Sequence, residues 1–329
     1  EGEERQTLLM AKAKVLADHF NDWPTAMALL REAASCSALT HPILERLTEA
    51  ATRLNQWGAF IEILEANRET ASRPVQIASL TRIGQTYREH LNDAQRAVET
   101  FTELTSLAPE AIDAWRSQLA LHMDLQQWDE VVEVLTVLGE LSEADERHAL
   151  QRRLVSVHRD ERGDPEAAEA ILTEMVSTEL GSVELHHQLW SMLIEREAYA
   201  EVAGWVERHR DARAAEGAEA DELADLDCQA GMMTYVSGRD VETLKRALTH
   251  FEAALGRAPN HGPSIRELEA LISDERARRR ICERLEGVYR GRGDWPALAD
   301  CLEVQILDAD DKTRASLLGQ LVTLSQGAL

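Results

Sequence analysis

A chain of 329 residues with 35 Lys and Arg against 59 Asp and Glu carries a formal charge of −24. This balance opposes nucleic acid and anionic membranes as partners, because neutralising phosphate supplies most of the affinity for either. No run approaches the ~18 apolar residues of a membrane span, so no membrane insertion is expected, and no apolar run in these residues follows a basic start.

Taken in chain order, the sequence repeats. Trp23, Trp57, Ala94, Trp128, Pro165 and Tyr199 follow one another at steps of 34, 37, 34, 37 and 34 residues, a double period near 71. Two later units are marked by Leu244 and Trp295. Three residues after the markers stand Ala26, Phe60, Ala97, Val131, Ala168, Val202, Ala247 and Leu298. Seven after stand Leu30, Leu64, Phe101, Leu135, Leu172, Val206, Phe251 and Leu302. Apolar residues at these offsets form one stripe of a helix with about 3.6 residues per turn, so each marker opens the second helix of a pair.

A first helix precedes each marker, as in Leu44, Leu47, Thr48 and Ala51 before Trp57, or Trp115, Leu119 and His122 before Trp128. Short polar stretches separate the two, among them Asn21-Asp22, Arg162-Gly163-Asp164 and Arg292-Gly293-Asp294. Pro24, Pro165 and Pro296 lie at or just after the marker. Asp caps a helix and Pro is tolerated in its first turn, so these are helix starts. No stretch alternates with period two, and strands are not expected. Repeats of this length bury their apolar faces only by stacking on neighbours, which predicts an all-α solenoid of antiparallel helix pairs.

The stretch Leu80, Ile83, Gly84, Tyr87, Ala97, Phe101, Leu104 and Pro109 resembles the signature of the tetratricopeptide repeat, and Ala247, Phe251, Ala254 and Pro259 repeat its second half. Trp23, Trp57, Trp128 and Trp295 replace that family's usual turn tyrosine, which is kept at Tyr199. The resemblance covers nearly the whole chain and implies a right-handed superhelix whose concave face binds peptides or proteins. The three extra residues in alternate units predict a longer helix or turn every second repeat.

Residues 1–329 read as one continuous array, with a hinge, long loop or extended helix end at 211–222, where the spacing stretches to 45 residues. The final segment, 263–329, is less regular: an extra helix around Ile265 to Ile272, a last unit from Arg276 to Ala309, and one more helix. Both ends read as cut from something longer.

If the family geometry holds, first-helix positions between the core residues line the concave face: Pro42, Glu45 and Glu49; Asp113, Arg116 and Ala120; Glu184, His187 and Ser191. The lining tends acidic and lacks the lysine and asparagine cluster with which some family members grip a terminal carboxylate. A basic or amphipathic protein or peptide is the expected partner. Trp205, one residue before an apolar position, is the candidate exposed aromatic anchor. The Arg-rich run from Arg276 to Arg292 is read as a solvated face in which Arg279 pairs with Glu283.

Cys36, Cys228, Cys282 and Cys301 make no C-x-x-C or C-x-x-H pair. Buried free thiols fit a reducing compartment, so the cytoplasm is the expected location. Cys282 and Cys301 lie on paired helices of one unit and are near enough in register to approach. The adjacent His186 and His187 point about 100° apart on a helix and do not chelate one metal. Phosphate-binding, dinucleotide, zinc-protease and serine-hydrolase motifs are absent. Neither catalysis nor a cofactor is expected. The reading is a non-catalytic protein-interaction scaffold; the alternative is an architectural or regulatory segment of a larger enzyme or assembly machine.

Overall fold

The computed structural model describes residues 2–307 and 309–327, and every regular element among them is helical. The chain divides into two compact units, Glu1–Asp164 and Pro165–Leu329. The first holds α1 (Gly2–Phe20), α2 (Trp23–Cys36), α3 (His41–Leu54), α4 (Trp57–Arg68), α5 (Arg73–Glu89), α6 (Ala94–Leu107), α7 (Ile112–Asp124), α8 (Trp128–Leu141), α9 (Ala144–Ser156) and a π turn, Val157–Glu161. The second holds α10 (Pro165–Thr178), α11 (Val183–Glu195), α12 (Tyr199–Ala215), α13 (Ala220–Ser237), α14 (Val241–Arg257), α15 (Gly262–Leu271), α16 (Arg278–Arg292), α17 (Trp295–Leu307) and α18 (Asp311–Gly327). Within each unit successive helices pack on one another through short turns, so each is an α-solenoid of antiparallel helices.

Seven of the eight markers are the first residues of their helices. The turn before each has one recurring shape: Asn21, Asn55, Asn92, Gln126, Gly163, Glu197 and Gly293 all adopt left-handed backbone, each two residues before its marker. That conformation reverses the chain in the fewest residues, and Gly and Asn adopt it at least cost. The exception is Leu244. There α14 starts three residues earlier, at Val241, because Asp240 Oδ1 accepts hydrogen bonds from the amides of Glu242 and Thr243 at 2.8 and 3.0 Å.

Every residue of the two apolar series is buried. They meet first-helix residues such as Leu44, Leu47 and Ile83 in the core of the first unit, and Ile265, Ile281 and Leu285 in the second. The tetratricopeptide signature has a packing reason. A Cβ added at Gly84 would lie 2.8 Å from Phe101 Cζ, and one at Gly231 2.7 Å from Phe251 Cε1. The missing side chain on the first helix is thus what admits the phenyl ring of the second.

Several expectations need correction. The buried stripe of α7 is Ala114, Gln118, Leu121 and His122, leaving Trp115 and Leu119 half-buried. Trp115 turns outward, where its indole N–H donates to the Pro109 carbonyl at 2.9 Å. The extra residues in the first unit lengthen first helices and not turns: α5 has 17 residues against 14 in α3, and α9 runs straight into its π turn. The segment 211–222 is no long loop. It is the end of α12 and the start of α13 joined by 216–219, with Gly217 in left-handed backbone.

Residues 211–222 also lie within a dense polar knot. The fully buried Asp227 carboxylate of α13 accepts from Arg210 of α12 and Arg257 of α14, each at 2.7 Å. Arg213 of α12 bonds Glu222 of α13 at 2.7 Å. A buried charge is tolerated only when paired in this way, and here the pairing ties three consecutive helices together. The final segment follows the sequence: α15 where an extra helix is expected, then α16, α17 and α18.

Candidate functional site

The first-helix candidates are exposed at Glu45, Asp113, Arg116, Glu184 and His187 and half-buried at Glu49. In the first unit Glu45 and Asp113 each line one of two adjoining pockets, whereas Glu49 and Arg116 line neither. One, of about 270 Å³, is lined by His41, Leu44 and Glu45 of α3 and by Ala78, Thr81, Arg82 and Gln85 of α5. The other, of about 410 Å³, takes Ile77, Thr81 and Gln85 from α5, Phe101 and Leu104 from α6, and Asp113, Ala114 and Ser117 from α7, with Glu110 at its edge. Thr81 and Gln85 belong to both, so the pockets form one trough crossing α3, α5 and α7.

The trough is built by the repeat. Its lining joins the buried Leu44, Phe101 and Leu104 and the apolar Ile77, Ala78 and Ile112 to polar positions such as Thr81, Gln85 and Ser117. Its carboxylates, Glu45, Glu110 and Asp113, outnumber its one guanidinium, Arg82. Glu45 lies 3.8 Å from His41, and Asp113 3.3 Å from Arg116. Arg116 is drawn away from the wall by Glu146 at 2.7 Å, and this hydrogen bond holds the Glu146 carboxyl below the usual carboxylate range. Glu49 is engaged by Arg46 at 2.8 Å, which also grips Asp18 at 3.0 Å. The arrangement can hold a chain by apolar contact, amide hydrogen bonds and charge.

Ile77, Thr81 and Gln85 were missed. Counting one, four and eight places from the helix start yields Pro42, Glu45 and Glu49 on α3, and Asp113, Arg116 and Ala120 on α7. The same count from Arg73 yields Pro74, Ile77 and Thr81 on α5. The count reaches Ile77 and Thr81 but not Gln85, and α5 belongs with α1 and α9 to the other first-helix series of the double period, not to the series of α3, α7 and α11 that supplied the candidates.

The second-unit candidates sit in a different setting. Glu184 and His187 project from α11, and the His187 ring packs 5.3 Å from Trp190. Trp205 is not an exposed anchor: it is half-buried, with the Arg208 guanidinium 4.5 Å over its ring and His186 edge-on at 6.3 Å. Behind it His186 is fully buried, its ring 4.1 Å from that of His209. Nδ1 of His186 lies 2.8 Å from the Ser182 carbonyl and carries the ring proton, since a carbonyl only accepts. Burial, seconded by His209 and His187, lowers its pKa to about 4 against the Ser182 hydrogen bond, so the ring is neutral at pH 7.

A cleft of about 510 Å³ beside the π turn is larger than either pocket of the trough, but its lining balances Arg152 and Arg153 against Asp160 and Glu161 and carries no net charge for a ligand to read. Most of the Arg-rich run is paired: Arg276 with Asp274, Arg279 with Glu283, Arg280 and Arg284 with Glu252, and Arg290 with Glu286, while Arg278 donates to the Ile272 carbonyl. Among the described residues no group of three or more His, Cys, Asp or Glu is placed to hold a metal ion, and no helix is long and apolar enough to cross a membrane.

No family model matches the chain, and no curated protein does. Among solved structures it is similar to a tetratricopeptide repeat protein from Parabacteroides merdae, at 16% identity over 78% of this chain and 94% of that one, with a TM-score of 0.35. It is also similar to YrrB, a tetratricopeptide protein with an unusual peptide-binding site, at 15% identity over 63% and 96% with a TM-score of 0.30. For the TPR2AB domain of yeast Sti1 in complex with an HSP90 peptide the values are 16%, 68%, 98% and 0.26. The helix pairs are tetratricopeptide-like. That statement rests on the Gly84–Phe101 and Gly231–Phe251 packing and the repeated turn, which are features of this chain itself.

Proposed function

We propose that this chain is a protein-interaction scaffold whose trough across α3, α5 and α7 takes an extended, basic or amphipathic peptide segment of a partner protein. The observation that carries the reading is the sharing of Thr81 and Gln85 by two adjoining pockets. One peptide can thereby place apolar side chains in successive pockets while its backbone passes over hydrogen-bonding groups. The excess of Glu45, Glu110 and Asp113 over Arg82 favours positive charge on that peptide, by complementarity that sets selectivity and association rate more than final affinity.

The test is a fluorescent peptide library of alternating apolar and Lys or Arg residues, titrated against the parent chain and a Glu45→Lys, Asp113→Lys double variant at two salt concentrations. Binding by the parent that weakens with salt and drops at least about tenfold in the variant, a loss of roughly 1.4 kcal/mol, is the expected result. Equal binding by both proteins would move the function away from the trough and favour an architectural role.

A further inference from the structure

Trp57 and Trp128 stand one double period of 71 residues apart, and so do the residues around them: Asn55 and Gln126 before, His90 and Glu161 after. At Trp57 the chain closes over its own indole. Asn55 Oδ1 accepts the indole N–H at 2.9 Å, the His90 ring stacks on the face with its plane 4° from parallel, and 8% of the residue is left exposed. At Trp23 the bond to Asn21 recurs, the Arg53 guanidinium lies over the ring at 5.7 Å, and the exposure is 9%. At Trp128 neither cover is present. Glu161, the last residue of the π turn, takes the place of His90 in the count, and among the described residues no ring or guanidinium packs over the indole and no side chain accepts from its N–H. Trp128 stays half-buried and, with Glu161, lines the cleft of about 510 Å³.

We propose that Trp128 and Glu161 form a binding site for an arginine side chain of a partner protein, whose guanidinium stacks on the indole in the place that His90 fills at Trp57. The face of an indole attracts a cation, and a guanidinium also stacks flat on it, which an ammonium does not. A carboxylate in the place of the imidazole leaves that face open and supplies an acceptor for the charged fork. Glu161 is free for this, since no side chain among the described residues pairs with it, whereas Asp160 is taken by Arg159 at 2.7 Å.

The two arginines of the lining do not fill the site themselves. Arg153 is turned to Met123, with Nη2 2.6 Å from Sδ. Arg152 has no carboxylate partner among the described residues, and this favours an acidic residue next to the incoming arginine. Because the lining has no net charge, the cleft exerts little pull at a distance and selects by contact, through stacking and one short-range ion pair. It shares no lining residue with the trough across α3, α5 and α7, so the two sites are tested independently.

The experiment titrates the full chain, with isotope-labelled tryptophan, against the capped tripeptide glycyl-arginyl-glycine and its lysine and phenylalanine analogues. The indole N–H signals are followed by NMR, those of Trp23, Trp57 and Trp128 being assigned from the Trp→Phe variants. The expected result is a saturating movement of the Trp128 signal, with Trp23 and Trp57 unmoved and a shift at least about threefold larger for arginine than for lysine at equal concentration. Glu161→Gln should weaken the response. Glu161→His should abolish it, by giving Trp128 the cover that Trp57 has, and His90→Glu should make the Trp57 signal respond in turn, with circular dichroism confirming that the variants fold. The proposal is overturned if the Trp128 signal is still at about 20 mM peptide, if lysine or phenylalanine moves it as far as arginine, or if the Glu161→His chain responds like the parent.

Discussion

Asn55 Oδ1 accepts a hydrogen bond from the indole Nε1 of Trp57 at 2.9 Å, and one repeat earlier Asn21 receives the same bond from Trp23, again at 2.9 Å. The asparagine does two things at once: its backbone takes the left-handed turn, and its side chain satisfies the polar edge of the tryptophan that opens the next helix. Trp57 is further fixed by stacking on His90, with ring centroids 3.7 Å apart.

The two roles separate by substitution. Asn55→Gly keeps the turn and loses the hydrogen bond, which should cost about 1 kcal/mol. Asn55→Ala loses the bond and keeps a Cβ in left-handed backbone without the local side-chain hydrogen bonding by which Asn tolerates it, so it is expected to cost up to about 1–2 kcal/mol more than the Gly variant. Urea denaturation of the three proteins orders them parent, Gly, Ala. Equal stability of the Gly and Ala variants would show that the turn relaxes.

Gln126 and Glu197 occupy the same turn position without the compatibility of Gly or Asn. Gln126→Gly and Glu197→Gly are each expected to stabilise by up to about 1 kcal/mol, as backbone strain is removed and only partly offset by added freedom in the unfolded chain. A lower thermal midpoint in both variants would contradict this.

Glycines within the helices divide sharply. Gly84→Ala drives a methyl group into the Phe101 ring and should cost about 1–3 kcal/mol by overpacking, part of which Phe101→Leu in the same chain restores. Gly58 and Gly139 have nothing within 4 Å of a built Cβ, so alanine there should stabilise by about 0.5–1 kcal/mol. Calorimetry on Gly84→Ala and Gly58→Ala tests the contrast, which fails if both shift the midpoint the same way.

His186 predicts a pH dependence. Its folded pKa, lowered to about 4 by burial, lies below the ordinary histidine value near 6.5 that holds in the unfolded chain. Between these values the unfolded state binds more protons, so stability declines as pH falls from about 6.5 towards 4 and is unaffected by this group above 6.5. The contribution is at most about 3 kcal/mol. His186→Gln should flatten the decline relative to the parent, whatever its effect at pH 7, while exposed His187→Gln is the control. An unchanged slope for His186→Gln would remove the ring from this role.

Asp227 tests the polar knot of the second unit. Asp227→Ala removes the buried carboxylate that both arginines share, leaving Arg210 with Asp211 and the exposed Arg257 to water, and is expected to cost about 1–3 kcal/mol, read as a loss of amide protection in α12, α13 and α14 together. A loss confined to α13 would mean that the two arginines find other partners.

Helix starts were legible because each is written twice, once as a turn residue and once as the marker two places on. Leu244 misled because Asp240, a stronger local cap, lies outside that pattern. The α7 stripe slipped by one residue because Trp115 and Ala114 are both apolar, and periodicity alone does not tell which of two neighbours faces the core. Trp205 read as exposed because spacing places a side chain beside the stripe without showing that His186 and Arg208 close around it. The trough was half legible. Glu45 and Asp113 were found, but Thr81 and Gln85, which join its pockets, were not.

The sequence by itself determined the helix pairs, their order, their buried series and the excess of acid, because these depend on interactions local along the chain and on a repeat that states each one several times. Only the tertiary structure decided which polar positions share a pocket, which carboxylates are already paired, and that Asp227 is buried between Arg210 and Arg257. Those are relations between helices, and they turn on side-chain directions and small differences in helix length, such as the added turn of α5, that a one-dimensional period averages away.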